Sequence, residues 1–122
     1  MALLVSAMQA PMAWAADLNK VRLGDHNKHT RLVCDLSANT TPSLTRSGAA
    51  TYELRLPNTR WKASKLHARD GLVRNVGPTP ASALSDDLHV DVKLSANARA
   101  SLQTLPSPPR VVLDLAEVDV NN

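Results

Sequence analysis

Two short patterns carry the side chains best suited to recognising a ligand. Arg31-x-Val33-x-Asp35 and Arg110-x-Val112-x-Asp114 repeat three residue types at one spacing. An arginine presents a planar fork of donors to a carboxylate, an aspartate accepts from amines or hydroxyls, and a valine between them offers an apolar floor. In an extended strand the Arg and Asp of one pattern lie ~13 Å apart on the same face, too far to pair with each other. Two readings stay open: cross-strand ion pairs that keep a sheet face soluble, or an outward face that binds a ligand.

Other reactive residue types lack a setting. His26 and His29 are three apart in a hydrophilic loop, a spacing that suits metal ligands on a helix rather than a loop. His67 sits in a basic stretch and His89 on an outward strand face beside Asp91, so both read as solvated surface. No serine stands in a G-x-S-x-G elbow, and four glycines are too few for the usual phosphate-cradling loops. No catalytic residue, metal site or cofactor is expected. The net charge of +3 and the basic run Arg55 to Arg74 raise nucleic acid as a partner. Beyond the first sixteen residues only Trp61 and Tyr52 are aromatic, which leaves no series of stacking platforms, so nucleic acid is not expected.

The elements that must position these residues are strands. At 122 residues the chain is one domain, with 43% apolar and 20% charged residues, so it should fold. It has no Phe, and the core must be built from Leu, Val and Ala. Leu88, Val90, Val92 and Leu94 alternate with His89, Asp91, Lys93 and Ser95, the period of a half-buried strand. Leu32, Cys34 and Leu36 point inward against Arg31, Val33, Asp35 and Ser37, so the single cysteine reads as a small core residue. Val111, Leu113 and Leu115 face inward in the same way, as do Tyr52, Leu54 and Leu56.

An internal repeat organises these strands. Leu36-Ser37-Ala38-Asn39 recurs as Leu94-Ser95-Ala96-Asn97, Ser43-Leu44 as Ser101-Leu102, and Tyr52 to Leu56 falls on Val111 to Leu115. A lead strand precedes each copy, at Val21-Arg22-Leu23 and Leu72-Val73-Arg74. Two four-strand halves cannot leave their apolar faces wet, and the expectation is that they pack face to face. The fold class is therefore an all-β sandwich of two symmetrical, mainly antiparallel sheets built from a repeat. The segment Pro57 to Asp70, with room for one helical turn at residues 63–69, and the segment Gly77 to Asp87 read as connections.

The N-terminus reads as an export signal. MALLVSAMQAPMAWAA holds no charge, a short apolar run from Ala2 to Met8 and an A-x-A site at Ala13 to Ala15. The apolar run is too short to span a bilayer. Residues 1–15 are expected to be a signal peptide, residues 16–122 the mature domain, and the location periplasmic.

The series VRLG (Val21 to Gly24), TRLVCDLS (Thr30 to Ser37), YELRLPNT (Tyr52 to Thr59), GLV (Gly71 to Val73) and PPRVVLDL (Pro108 to Leu115) resembles the AMIN domain, over about Leu18 to Val118. That family lies N-terminal to periplasmic N-acetylmuramoyl-L-alanine amidases and type IV pilus secretins. The resemblance implies a peptidoglycan-binding, localising module of two symmetrical four-stranded sheets with shared motifs on their outer faces. In amidases the module directs the enzyme to the division septum. The matching positions are Arg31, Val33, Asp35, Arg110, Val112 and Asp114, and cell-wall peptide stems and sugars supply the groups they suit. Two outer faces related by the repeat would engage neighbouring wall strands. Where the pattern calls for Arg and Asp, one strand has Thr51 and Arg55 and another His89 and Lys93. The histidines and glutamate of the zinc amidase domain are missing from the 122 residues, so amidase activity is not implied. The implied partners are peptidoglycan and a cell-wall amidase or other envelope protein. The alternatives are a protein-interaction module of an envelope complex such as a pilus secretin, or a fragment of a longer amidase.

Overall fold

The computed structural model describes residues 15–118. The expected signal peptide therefore lies outside the described residues apart from Ala15, whose N–H donates to the Asn58 carbonyl at 2.9 Å.

Among the described residues the chain forms ten strands: β1 (Ala16–His26), β2 (His29–Leu36), β3 (Ser43–Gly48), β4 (Thr51–Leu56), β5 (Thr59–Trp61), β6 (Leu66–His67), β7 (Val73–Pro78), β8 (Leu88–Leu94), β9 (Ala98–Pro106) and β10 (Pro109–Glu117). They make two five-stranded sheets. Sheet A runs β5-β1-β2-β10-β9 and sheet B runs β3-β4-β8-β7-β6. Every pairing is antiparallel except β1 with β5. The all-β sandwich expected from the alternation is the fold observed.

The way the halves combine differs from expectation. The two copies of the repeat do not each form a sheet and stack. Instead the hairpin β1–β2 enters sheet A, the chain crosses through residues 37–42, and the hairpin β3–β4 enters sheet B. The second copy does the reverse, with β7–β8 in sheet B and β9–β10 in sheet A. Each sheet is thus half one copy and half the other, joined at its centre by β2 with β10 or β4 with β8. Period-2 alternation tells which face is buried but not which strand is the neighbour, so both arrangements satisfy the same pattern.

The segment between the halves is more than a connection. Its β5 extends sheet A beside β1, and its β6 extends sheet B beside β7, so each sheet gains a fifth strand. Thr59 is buried and donates its hydroxyl to the Pro57 carbonyl at 2.8 Å, which anchors the turn. Asn58 in that turn takes φ 48°, a left-handed conformation that Asn tolerates. No helical turn forms at residues 63–69, because Leu66 and His67 pair with Val76 and Asn75. The other long connection does hold a helix, a 3-10 turn at Pro80–Leu84 capped by Thr79.

Leu18, Leu32, Leu54, Leu56, Leu113 and Leu115 are among the largest fully buried side chains, and valines from β7, β8 and β10 fill the space between them. With no Phe available, aliphatic interdigitation carries the core. One polar latch joins the sheets at their β3/β9 side. The Tyr52 hydroxyl donates to the Ala98 carbonyl at 2.7 Å, and Arg46 Nη2 donates to that carbonyl at 2.8 Å and to the Tyr52 oxygen at 3.0 Å. The Arg46 guanidinium also lies 5.2 Å from the centre of the Tyr52 ring.

Two outcomes follow from this packing. Replacing Leu113 by Ala should lower the unfolding free energy by about 2–5 kcal/mol, read from urea denaturation, because neighbours on both sheets relax only partly into the gap. Cys34 is buried, and its thiol is pushed up to about 12, chiefly by desolvation. A thiol reagent at pH 8 should therefore titrate no cysteine in the native protein and one in urea.

Candidate functional site

The pairing of β2 with β10 decides where the two Arg-x-Val-x-Asp patterns stand. Both lie on the outer face of sheet A, on adjacent strands, in an antiparallel register that sets Arg31 opposite Asp114, Val33 opposite Val112 and Asp35 opposite Arg110. The expectation of two motif-bearing faces is corrected: there is one, because the interleaved topology brings both patterns into the same sheet.

The charged residues are engaged unequally. Arg31 makes a two-pronged ion pair with Asp114, at 2.8 and 3.2 Å. Asp35 is taken by Arg22 of β1 in a second such pair, with both contacts at 2.8 Å. Hydrogen bonding to the carboxylate, and then its charge, raise the pKa of each arginine above its ordinary value. The Asp35–Arg22 choice leaves Arg110, directly opposite Asp35, without a carboxylate among the described residues. Arg110 Nε reaches only the Pro108 carbonyl, at 3.3 Å. On the other side of Asp35 stands Lys20, also without an ion-pair partner among the described residues.

The apolar floor is closed over. Val112 is 1% exposed although it lies outside the main core cluster, since it sits between Val33 and Gln103 with the long arginines of the same face around it. Val33 is half-buried. The face therefore offers charge rather than a greasy surface. From Lys20 onward, the outward positions of β1, β2, β10 and β9 hold five fixed cations, Lys20, Arg22, Arg31, Arg99 and Arg110, against two carboxylates, Asp35 and Asp114. Such an excess attracts anions. An open concavity of about 580 Å³ adjoins the Arg31–Asp114 pair and is lined also by Asp25, His26, His29 and Thr30.

Sheet B repeats the register with other chemistry. Thr51 faces Lys93, Glu53 faces Asp91 and Arg55 faces His89. At the centre, where sheet A has two valines, sheet B sets two carboxylates side by side. Glu53 Oε1 lies 3.5 Å from His89 Nδ1, a nitrogen buried without a hydrogen-bond partner, so His89 is less solvated than its outward position suggests. Arg55 turns to Asp87 instead, donating through Nε at 2.8 Å, while the Asn58 N–H reaches the other carboxylate oxygen at 3.3 Å.

Lys20 and Arg22 are members of the charged face that the two patterns alone did not name. The signal was available in the alternation Lys20, Arg22, Gly24 of the lead strand, but only the register with β2 shows that it adds to the same face. Among the described residues no group of three or more His, Cys, Asp or Glu is placed to hold a metal ion, and no helix is long and apolar enough to cross a membrane. Neither protein-family models nor curated proteins yield a match to this chain.

The Asp87 carboxyl is held below its ordinary value, first by the hydrogen bonds from Arg55 and with help from the Asn58 N–H. A carboxylate whose folded pKa is depressed adds stability that is fully present above the unfolded value of ~3.9 and is lost as pH falls through the folded one. Asp87→Asn should therefore unfold more readily than the parent at pH 7, with the difference between their urea midpoints narrowing below about pH 4.

Proposed function

We propose that the chain is a non-catalytic peptidoglycan-binding and localisation module of the periplasm, which targets a cell-wall amidase or other envelope machinery. The observation that carries this reading is the outer face of sheet A, where six motif residues stand together and Arg110 and Lys20 have no carboxylate partner among the described residues and can take an anion. Peptide stems of the wall bear carboxylates along a repeating polymer. The resemblance of the motif series to the AMIN domain supports the same reading.

Within that face the work divides. Arg22, Asp35, Arg31 and Asp114 satisfy one another and hold the surface in shape, while Arg110 and Lys20 flank Asp35 and reach outward. Exposed charge contacts are worth only ~0.2–1 kcal/mol each. One such face binds weakly, and repeated ligands along the wall raise its residence through effective concentration.

Pelleting with insoluble sacculi tests the assignment. Lys20→Ala and Arg110→Ala should each weaken retention by ~1.4- to 5-fold, the range set by exposed contacts of that strength. Added salt should reduce retention of the parent chain. Unchanged pelleting of the double variant would remove the site, and failure of the parent chain to pellet would remove the function.

A further inference from the structure

The edges of the two sheets are protected unequally. Sheet A ends on one side at β5, three residues long, and sheet B ends at β6, two residues long. The edge strand β3 is short, carries Arg46 and is broken by an irregularity between Arg46 and Gly48. These are the usual defences against edge-to-edge pairing. The fourth edge, β9, is long and has no bulge, and its defences are confined to its ends, with Arg99 near one and Pro106 at the other. It runs nine residues in unbroken register with β10, and among the described residues its other side meets no strand. In an antiparallel pair alternate residues turn both their N–H and C=O away from the partner, so β9 presents a row of such groups. Ala98 O is taken by Tyr52 and Arg46, but from Arg99 to Pro106 no side chain or loop caps the edge among the described residues.

The sequence of β9 is complementary to itself. Its midpoint is Leu102, so an antiparallel pairing about a twofold axis there overlaps the whole strand. Leu102 then faces its own copy, Ser101 faces Gln103, Ala100 faces Thr104, and Arg99, the one charge in the strand, faces Leu105. Inward residues meet inward residues and outward meet outward, with no like charges opposed. Leu102 and Ala100, only partly buried against the core, gain the cover they lack in the single chain. A concavity of about 260 Å³ between Thr40–Pro42 and Leu102–Thr104 leaves room beside the midpoint.

We infer that β9 is a self-association edge, through which two copies of this chain join their A sheets into one continuous sheet about a twofold axis at Leu102. Such an interface is isologous and closes as a dimer. It does not depend on what the outer face of sheet A binds.

The mass of the full chain in sedimentation equilibrium tests this. The mass should rise with concentration to twice that of one chain. Leu102→Lys and Leu102→Glu should each stay at the mass of one chain with an unchanged far-ultraviolet spectrum, because position 102 meets its own copy. Their equimolar mixture should regain the doubled mass. A parent chain that keeps the mass of one copy at every concentration, as when β9 instead takes an extended segment of another protein, would overturn the inference. So would a mixture that fails to associate. Should a charged variant unfold, Leu102→Cys carries the test: oxidation should link two chains through residue 102, since opposed Cβ atoms in paired strands lie within disulfide reach, and absence of that link would overturn it.

Discussion

The pairing of β2 with β10 is the interaction on which the rest of this molecule depends. It joins the first copy of the repeat to the last strand of the second, in the middle of sheet A. On its inner side it brings Leu32 beside Leu113 and Cys34 beside Val111, within the buried core. On its outer side the same register sets the two charged patterns against each other. One set of backbone hydrogen bonds thus fixes the packing and the candidate ligand face together, because successive side chains in a strand point to opposite faces.

The counterpart pairing of β4 with β8 shows what the duplication preserved and what it let change. The register is equivalent and the inner residues of β4 and β8 are apolar, aliphatic but for Tyr52, while the outer centre is Glu53 and Asp91 instead of Val112 and Val33. Inner positions are constrained by close packing, where a lost methylene is felt. Outer positions are free of that constraint, and the two faces of the sandwich have taken different chemistry on one backbone plan.

The charged face of sheet A also shows how competition among ion pairs selects the available groups. Asp35 has cations on both neighbouring strands and binds Arg22 of β1 rather than Lys20 or Arg110. That choice, together with the Arg31–Asp114 pair, leaves Arg110 and Lys20 outward. Exposed pairs of this kind add little to stability, so their main consequence is geometric. They decide which cations, among the described residues, stay without a carboxylate and which are committed to the sheet.

By itself the sequence determined that the chain is made of strands, which residues of β2, β4, β8 and β10 face inward, that Cys34 is one of them and that the design is duplicated. All of these are local, carried by period-2 alternation and by recurring segments such as Leu36 to Asn39 and Leu94 to Asn97. The repeated Arg-x-Val-x-Asp spacing marked Arg31, Val33, Asp35, Arg110, Val112 and Asp114 as the place to look, and they do share one surface. Only the tertiary structure decided that the copies interleave rather than stack, that β5 and β6 extend the sheets, that Val112 is closed over, and that among the described residues Arg31 takes a carboxylate while Arg110 does not. Strand neighbours and ion-pair partners are set by contacts between residues distant in the chain, 83 positions apart for Arg31 and Asp114, and local alternation is the same whichever partner wins.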